Sequence, residues 1–271
     1  MSNAPNFFRR FRRRVFPPKE TLTVEQQIKR RTLLSFSAFL VLGAAGWKGW
    51  QWLKHQPLDQ GLKGGVQEPV RKVLDANEKI FRHTLSPDHM AKTYPVSAAT
   101  KRVRTNGNIG LATTDFDPAA WKLEVQTAAG GKPFYVTMDE IRRLPKTEIV
   151  FDFKCIEGWS MITHWGGVTF SDFMKAYRLE KEAAMNYVGM MTPDQDYYVG
   201  IDMASALHPQ TLLCYEMNGE PLPMSHGYPL RLIIPVKYGI KSLKRVGTIY
   251  FSEERPDDYW FERGYDYYSG L

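Results

Sequence analysis

Hydrophobic and polar residues alternate in several short segments of the chain, whereas longer helical patterns are few. Alternation or short apolar runs predict six strands, at residues 121–127, 147–155, 186–192, 211–219, 230–236 and 247–254. Helical spacing predicts three helices, at residues 68–83, 137–146 and 169–179, the last two beginning at a threonine or serine cap. Strands predominate and no strand–helix–strand rhythm repeats, so the pattern predicts the α+β class.

A long, turn-rich stretch without regular periodicity lies between the first predicted helix and the first predicted strand. It runs from about residue 84 to residue 120. A loop of that length is usually functional or packed closely onto the rest of the domain. We therefore expect this stretch to contribute to the surface of a site or of the core.

Positive charge is concentrated at the N-terminus. Residues 1–31 contain nine Lys or Arg against two Glu, which accounts for the whole net charge of +7 and leaves the rest of the chain formally neutral. Because the rest of the chain is neutral, a nucleic-acid-binding groove in the globular part is not expected. The composition, with 43% hydrophobic residues, is sufficient for a packed core.

An apolar segment follows the basic arm directly. The arginine pair Arg30–Arg31 precedes an uncharged stretch at 32–47, and the pair with its following residues resembles a twin-arginine export signal. Three tryptophans near residue 50 suit a membrane interface. We predict a basic cytoplasmic arm at 1–31, a signal or membrane anchor at 32–53, a linker at 54–69 and a globular domain at 70–271 outside the membrane.

Cys155 stands at the end of a predicted strand, and three explanations for it remain open. It can be an inert buried thiol, or a nucleophile with His164 or His208 as its base, or a metal ligand. The chain has only one other cysteine, Cys214, and no ligand pattern that would complete a zinc site nearby, although one disulfide is possible. A metal that carries most of its ligands on an organic cofactor, such as molybdenum on its pterin dithiolene, needs only one protein sulfur.

Two motifs carry a resemblance to a known family. The segments CIEGWSM (155–161) and HWGGVTFSDFM (164–174) resemble the cysteine loop of the sulfite-oxidase-fold molybdenum enzymes, and residues 215–249 resemble their cofactor-binding segment. The cysteine motif is most similar to the exported bacterial branch, represented by the catalytic subunit of the periplasmic methionine sulfoxide reductase. The resemblance implies a sulfite-oxidase-type molybdopterin-binding fold of mixed sheets and short helices.

The resemblance also implies the residues of the site. Cys155 would be the thiolate ligand of molybdenum, and Glu157 would move the proton that oxygen transfer requires. The remaining positions would bind the molybdenum–molybdopterin cofactor: Asn77, Arg82, His83, Thr192, His226, Arg231, Ser242 and Lys244. The first three belong to an upstream element whose spacing departs from the family pattern by about two residues.

The function implied is two-electron oxygen-atom transfer, in the direction of sulfoxide reduction. Oxidation of sulfite or another small anion, or a non-catalytic membrane-tethered binding module, are the alternatives. The chain lacks a C-x-x-C-H haem motif, so electrons are expected from a separate protein, such as a membrane haem or quinone-linked subunit. The twin-arginine machinery would export the folded holoprotein to the periplasmic side of the cytoplasmic membrane.

Overall fold

The computed structural model describes residues 22–59, 65–84, 89–111, 116–127 and 131–270. The chain divides into two units, one ending at Pro57 and one beginning at Leu58. Most of the predicted basic arm, residues 1–21, lies outside the described residues.

The first unit contains one long helix, α1 (Val24–Lys54). A capping box begins it, because the Thr23 side chain accepts from the backbone N–H of Gln26 while the Gln26 side chain accepts from that of Thr23. Its 31 residues correspond to a length of about 46 Å. By length and composition α1 can cross a membrane. The prediction of an N-terminal apolar helix is confirmed, and the helix includes the arginine pair as well as the uncharged stretch.

The second unit has short helices after one longer helix at its start. They are α2 (Glu68–Thr84), α3 (Met138–Arg142), α4 (Phe170–Ala176), α5 (Glu180–Ala183) and α6 (Met203–Ala206). Thr137 caps α3 and Thr169 caps α4, as their sequences predict. Single turns of 3₁₀ helix lie at Val96–Ala98, Met224–His226, Gly239–Lys241 and Phe261–Arg263.

Ten strands are present in the described part of the chain. In order they are β1 (Leu123–Gln126), β2 (Phe134–Val136), β3 (Thr147–Lys154), β4 (Ser160–Thr169), β5 (Tyr187–Met191), β6 (Tyr198–Asp202), β7 (Leu212–Met217), β8 (Glu220–Pro221), β9 (Arg231–Ile233) and β10 (Thr248–Ser252). One sheet has the order β2-β1-β10-β5-β6, with β1 and β10 parallel and the other neighbours antiparallel. The second sheet has the order β3-β4-β7-β8, and β9 also pairs with β7.

The second sheet is covered on both faces. Side chains alternate along β7, so Leu213 joins the large hydrophobic core while Leu212 and Cys214 join a smaller cluster with Phe151 and Trp165. The smaller cluster forms part of the floor of the site described below. Mixed sheets with few helices confirm the predicted α+β class.

The centre of this sheet depends on a glycine. Gly167 of β4 faces β7 so closely that an added Cβ would lie 2.2 Å from the carbonyl oxygen of Leu213. The register of the two strands shifts between Gly166 and Gly167. A side chain at position 167 would push β7 away, together with the β9 strand that pairs with it.

Candidate active site

Cys155 occupies the first position of the tight turn that connects β3 to β4. Its backbone N–H donates to the carbonyl of Trp159 at 2.9 Å, and the N–H of Gly158 donates back to the carbonyl of Cys155 at 3.1 Å. Gly158 adopts a φ of 88°, which suits glycine. The thiol is only 6% exposed, and the side-chain amide of Asn106 donates to Sγ at 3.6 Å. The turn therefore holds the sulfur within the fold, beside a polar donor.

Arg231 is a buried cation on β9. Its guanidinium donates to the carbonyl of His226 at 3.2 Å and to that of Ser242 at 3.3 Å, and it stands 4.6 Å from the ring centre of Trp165. Its Nε is buried and has no partner among the described residues. Burial lowers the pKa of Arg231 to about 10, so the group remains charged at neutral pH. A charge held only by neutral carbonyls is one that an anion would stabilise.

Lys244 adds a second cation to the same region. Its ammonium donates to the carbonyls of Asn106, Gly107 and Ser225 at 2.7, 2.9 and 3.3 Å. Burial and the neighbouring Arg231 lower its pKa to about 8. The lysine thereby fixes residues 106–107 of the long irregular stretch against the 3₁₀ turn at Met224–His226.

His226 lies between these cations. It is 5% exposed, and its Nε2 is 3.2 Å from the hydroxyl of Thr105. Burial, followed by the charges of Arg231 and Lys244, lowers the pKa of His226 to about 4. The imidazole is therefore neutral at physiological pH and acts as a polar, uncharged group.

These residues surround a cavity of about 110 Å³. Five of the predicted site residues line it: Cys155, His226, Arg231, Ser242 and Lys244. Aromatic rings supply much of the remaining wall, namely Phe153, Trp159, Trp165, Tyr197 and Trp260. Arg104 is a third cation, and the described lining residues include no carboxylate. The cavity thus presents a thiol and three cations, a donor set that suits an anionic organic cofactor carrying a soft metal.

Glu157 lies in the same turn as Cys155 but is exposed and is not among the described lining residues. Its carboxylate accepts from the indole N–H of Trp159 at 3.1 Å. Hydrogen bonds from Trp159 and then from Asn106 lower its pKa, so the carboxylate is ionised at neutral pH. Trp159 and Asn106 both line the cavity, so these two side chains connect Glu157 to the site.

Thr192 is fully buried, and its hydroxyl donates to the carboxylate of Asp194 at 2.6 Å. It is not among the described lining residues. It lies directly beneath the loop at the cavity, since a Cβ added to Gly110 would meet its methyl group at 2.4 Å.

Asn77, Arg82 and His83 lie on α2, and none of them is among the described residues of the cavity wall. Arg82 is held by Glu78 at 3.3 Å and stands over the ring of Tyr268. The structure therefore does not bring the predicted upstream element to Cys155. Residues 103–109 of the irregular stretch form that side of the cavity instead.

Asn106 and Arg104 are the polar side chains of this wall, and the sequence motifs did not identify them. The length of the irregular stretch was the available signal, because it predicted a functional or closely packed loop. The histidines considered as bases for Cys155 lie elsewhere. His164 pairs with Glu148 at 3.1 Å and His208 contacts the carbonyl of His89 at 3.0 Å, and neither is among the described lining residues. Cys155 and Cys214 are both free thiols.

A family model described as "Oxidoreductase molybdopterin binding domain" matches residues 110–260, which is more than half of the chain. The putative protein-methionine-sulfoxide reductase subunit YedZ1 of Azospira oryzae is 36% identical over 185 residues, which are 68% of this chain and 69% of that protein. The protein-methionine-sulfoxide reductase catalytic subunit MsrP of Xanthomonas axonopodis pv. citri is 33% identical over 174 residues. That alignment covers 56% of this chain and 53% of MsrP, so the chain spans about half the length of this relative.

Among solved structures, the sulfane dehydrogenase SoxCD from Paracoccus pantotrophus matches 64% of this chain and 49% of its own chain. The TM-score is 0.48 and the sequence identity is 18%.

Proposed function

Because this chain belongs to the family of oxidoreductase molybdopterin-binding domains, we propose that it catalyses two-electron oxygen-atom transfer at the cavity around Cys155. The family resemblance drawn from the cysteine motif is confirmed by this match. The observation that carries the proposal is the convergence of one buried thiol and one buried, incompletely bonded guanidinium, Arg231, on a single cavity.

The residues of the cavity fit the family's cofactor. Cys155 would hold molybdenum as a thiolate, since a soft sulfur ligand suits this kind of metal site. Arg231 and Lys244 would meet the negative charge of the pterin phosphate, with Ser242 and His226 as neutral polar contacts. The bound cofactor would supply the two-electron redox chemistry. Thr192, Asn77, Arg82 and His83 remain predictions that the described cavity wall does not support.

The protein's own groups have three roles in this proposal. The aromatic walls exclude water from the reacting atoms and so strengthen the electrostatic contacts inside the cavity. Asn106 donates to the sulfur of Cys155 and moderates its charge. Glu157 is an ionised carboxylate at the edge of the cavity, beside Trp159 and Asn106. It can accept a proton and deliver it towards a departing oxygen.

The proposed substrate is an oxidised sulfur compound of the sulfoxide class. The names of the relatives YedZ1 and MsrP support this choice, since both describe protein-methionine-sulfoxide reductase subunits. Oxidation of sulfite or a similar anion is the second candidate. It is favoured by one observation, the exposed Arg104 at the rim, whose guanidinium stacks on Trp159 at 5.0 Å.

We also propose that the chain works on the periplasmic side of a bacterial cytoplasmic membrane and receives electrons from a separate membrane protein. The word "subunit" in the names of the relatives supports a partner. The length and composition of α1, together with the arginine pair inside it, support export and tethering.

The test compares Cys155→Ser with Cys214→Ser in the full chain, exported by its own signal. Both thiols are buried, but Cys214 lies in the small hydrophobic cluster and burial raises its pKa, so it stays a neutral thiol. We expect molybdenum near one per chain in wild-type and Cys214→Ser, and almost none in Cys155→Ser. A reduced-dye assay with sulfoxides, and a dye-reduction assay with sulfite, then separates the two reactions. A wild-type chain without molybdenum would instead indicate a non-catalytic binding module.

A further inference from the structure

Helix α2 turns two of its charged side chains, Arg71 and Glu78, towards the protein. Arg71 and Glu78 lie two turns apart on the same face and are only 6% and 4% exposed. Arg71 donates to the carboxylate of Asp59 at 3.0 Å and to two backbone carbonyls, while Glu78 pairs with Arg82 and Arg255. Ion pairs and hydrogen bonds therefore hold this face of α2 to the rest of the second unit.

The opposite face of α2 is hydrophobic and exposed. Val73, Ile80 and Phe81 are 59%, 57% and 53% exposed. With 3.6 residues per turn, the positions from Ala76 round to Phe81 form an arc of about 140° that contains two polar residues, Asn77 and Thr84, but no charged side chain. A surface helix of a globular protein normally has the reverse arrangement, with its apolar stripe inward. Within the described residues, nothing covers this stripe.

Basic residues border one edge of the hydrophobic arc. Lys72 and Lys79 lie one after the other along that edge, and His83 follows them. The acidic residues of the central turns, Asp75 and Glu78, lie on the inward side by the same helical spacing. A helix with a wide apolar face and lysines along its border is typical of helices that lie in the plane of a membrane interface.

The position of α2 in the chain indicates which surface it meets. Thirteen residues separate Lys54, the last residue of α1, from Glu68, the first of α2. Such a segment reaches at most about 45 Å when fully extended. A chain anchored by α1 would therefore keep α2 permanently close to the bilayer surface.

We propose that the hydrophobic face of α2 binds the surface of the bilayer in which α1 is anchored, with Lys72 and Lys79 at anionic lipid headgroups. The proposal rests on the proposed anchoring and goes beyond it, because it assigns a second, peripheral contact. This contact would fix the orientation of the second unit on the membrane, which the chain connection to α1 alone does not do.

The experiment uses the full chain in nanodiscs of phosphatidylcholine and phosphatidylglycerol, with an environment-sensitive fluorophore at a single introduced cysteine. Val73→Cys reports on the face, and Tyr135→Cys on β2 is the matched control, because Tyr135 is also 59% exposed. Phe39→Cys in α1, at 71% exposure, reports on anchoring. The native cysteines are 6% and 0% exposed, and labelling of the wild-type chain measures their background.

We expect spin-labelled lipids to quench the Val73 probe at least about twofold more than the Tyr135 probe, and iodide in solution to show the opposite order. The charge-reversing pair Lys72→Glu and Lys79→Glu should reduce the lipid quenching at Val73. Equal exposure of both probes to iodide, without lipid quenching at Val73, overturns the proposal. So does protection from iodide that depends on protein concentration and not on lipid labels, which would indicate a second copy of the chain.

The Phe39 probe separates this result from the anchoring. An unquenched Phe39 probe would refute anchoring by α1 alone. Lipid quenching at Val73 supports the surface contact in either case, and its absence contradicts the contact in either case.

Discussion

Replacement of Arg231 by methionine should change the stability of the empty protein little but weaken the binding of the cofactor. The guanidinium is buried and has no carboxylate partner among the described residues, so its charge is not compensated in the absence of a ligand. Lys241 is an equally buried cation that has such a partner, because its ammonium contacts the carboxylate of Asp258 at 2.5 Å. Lys241→Met is therefore the matched control.

The structure gives the magnitudes. A pKa of about 10 for Arg231 corresponds to about 3 kcal/mol of unfavourable free energy for the buried charge, at roughly 1.4 kcal/mol per pKa unit. Methionine removes that cost but leaves two carbonyls without donors, at about 1–3 kcal/mol each. Their bonds to the guanidinium are at the long end of the range, 3.2 and 3.3 Å. The two effects nearly cancel, so the free energy of unfolding of the empty chain should change by less than about 2 kcal/mol.

Lys241→Met, in contrast, leaves the carboxylate of Asp258 buried and unpaired, and should cost about 3–5 kcal/mol. For cofactor binding the order of the two variants reverses, and Arg231→Met is the more damaging change. Arg231→Met loses a charge-assisted contact to the cofactor of about 1.5–3 kcal/mol, which weakens cofactor binding roughly 10- to 150-fold. Lys241→Met removes no such contact.

The assay is urea unfolding of protein from molybdenum-depleted cells, followed by molybdenum and pterin content after dialysis of the loaded protein. If the empty Arg231→Met chain loses as much stability as Lys241→Met, the arginine is a structural residue. Wild-type cofactor retention in Arg231→Met would likewise refute the assignment.

Three further outcomes are expected. By urea unfolding, Gly227→Ala should lower the free energy of unfolding by about 2–4 kcal/mol and Gly107→Ala by about 1 kcal/mol. The two differ because a Cβ at Gly227 would lie 2.6 Å from a backbone nitrogen, whereas one at Gly107 meets nothing within 4 Å. The empty chain should lose about 1–3 kcal/mol of stability as the pH falls from about 6.5 to 4. Over this range His226 binds a proton in the unfolded chain but not in the folded one, where its pKa is lowered to about 4. The His226→Gln variant should therefore show a smaller loss of stability over the same range. Glu157→Gln keeps an acceptor for the indole N–H of Trp159, so a kcat about 100-fold lower in sulfoxide reduction would support proton transfer by the carboxylate. An unchanged kcat would mean that Glu157 only positions the ring of Trp159.

The sequence predicted the α+β class and most strands of both sheets, but it did not predict the longest strand, β4. The residues of β4 include Trp165, two adjacent glycines and a histidine, a composition that is typical of a turn or a binding loop. Local preference fails here because Gly167 is required by the close approach of the β7 backbone, which is a tertiary contact. The motif that suggested chemistry was thus partly the interior of a sheet.

Four of the predicted cofactor-binding residues belong to one continuous segment of the chain. His226, Arg231, Ser242 and Lys244 come within 19 positions of one another, and all four line the cavity with Cys155. The sequence motifs predicted further cofactor-binding residues on α2, whereas residues of the loop at 103–109 line the cavity. That loop has no periodicity and is held by Lys244 through its backbone carbonyls, which leave no trace in the side-chain pattern.

The two lysines of the segment GIKSLK show why such a pattern cannot assign roles by itself. Lys241 and Lys244 are three residues apart, yet among the described residues Lys241 contacts the carboxylate of Asp258 and Lys244 contacts only neutral carbonyls. The partner of Lys241 lies 17 positions further along the chain, so only the folded structure shows that its charge is already compensated. Lys244 and Arg231 keep uncompensated charge towards the same cavity. The acceptor that the fold brings to a cation therefore decides whether the cation is structural or free to bind a ligand. At the cavity, the part of the chain that the structure describes brings no carboxylate to Arg231 or Lys244.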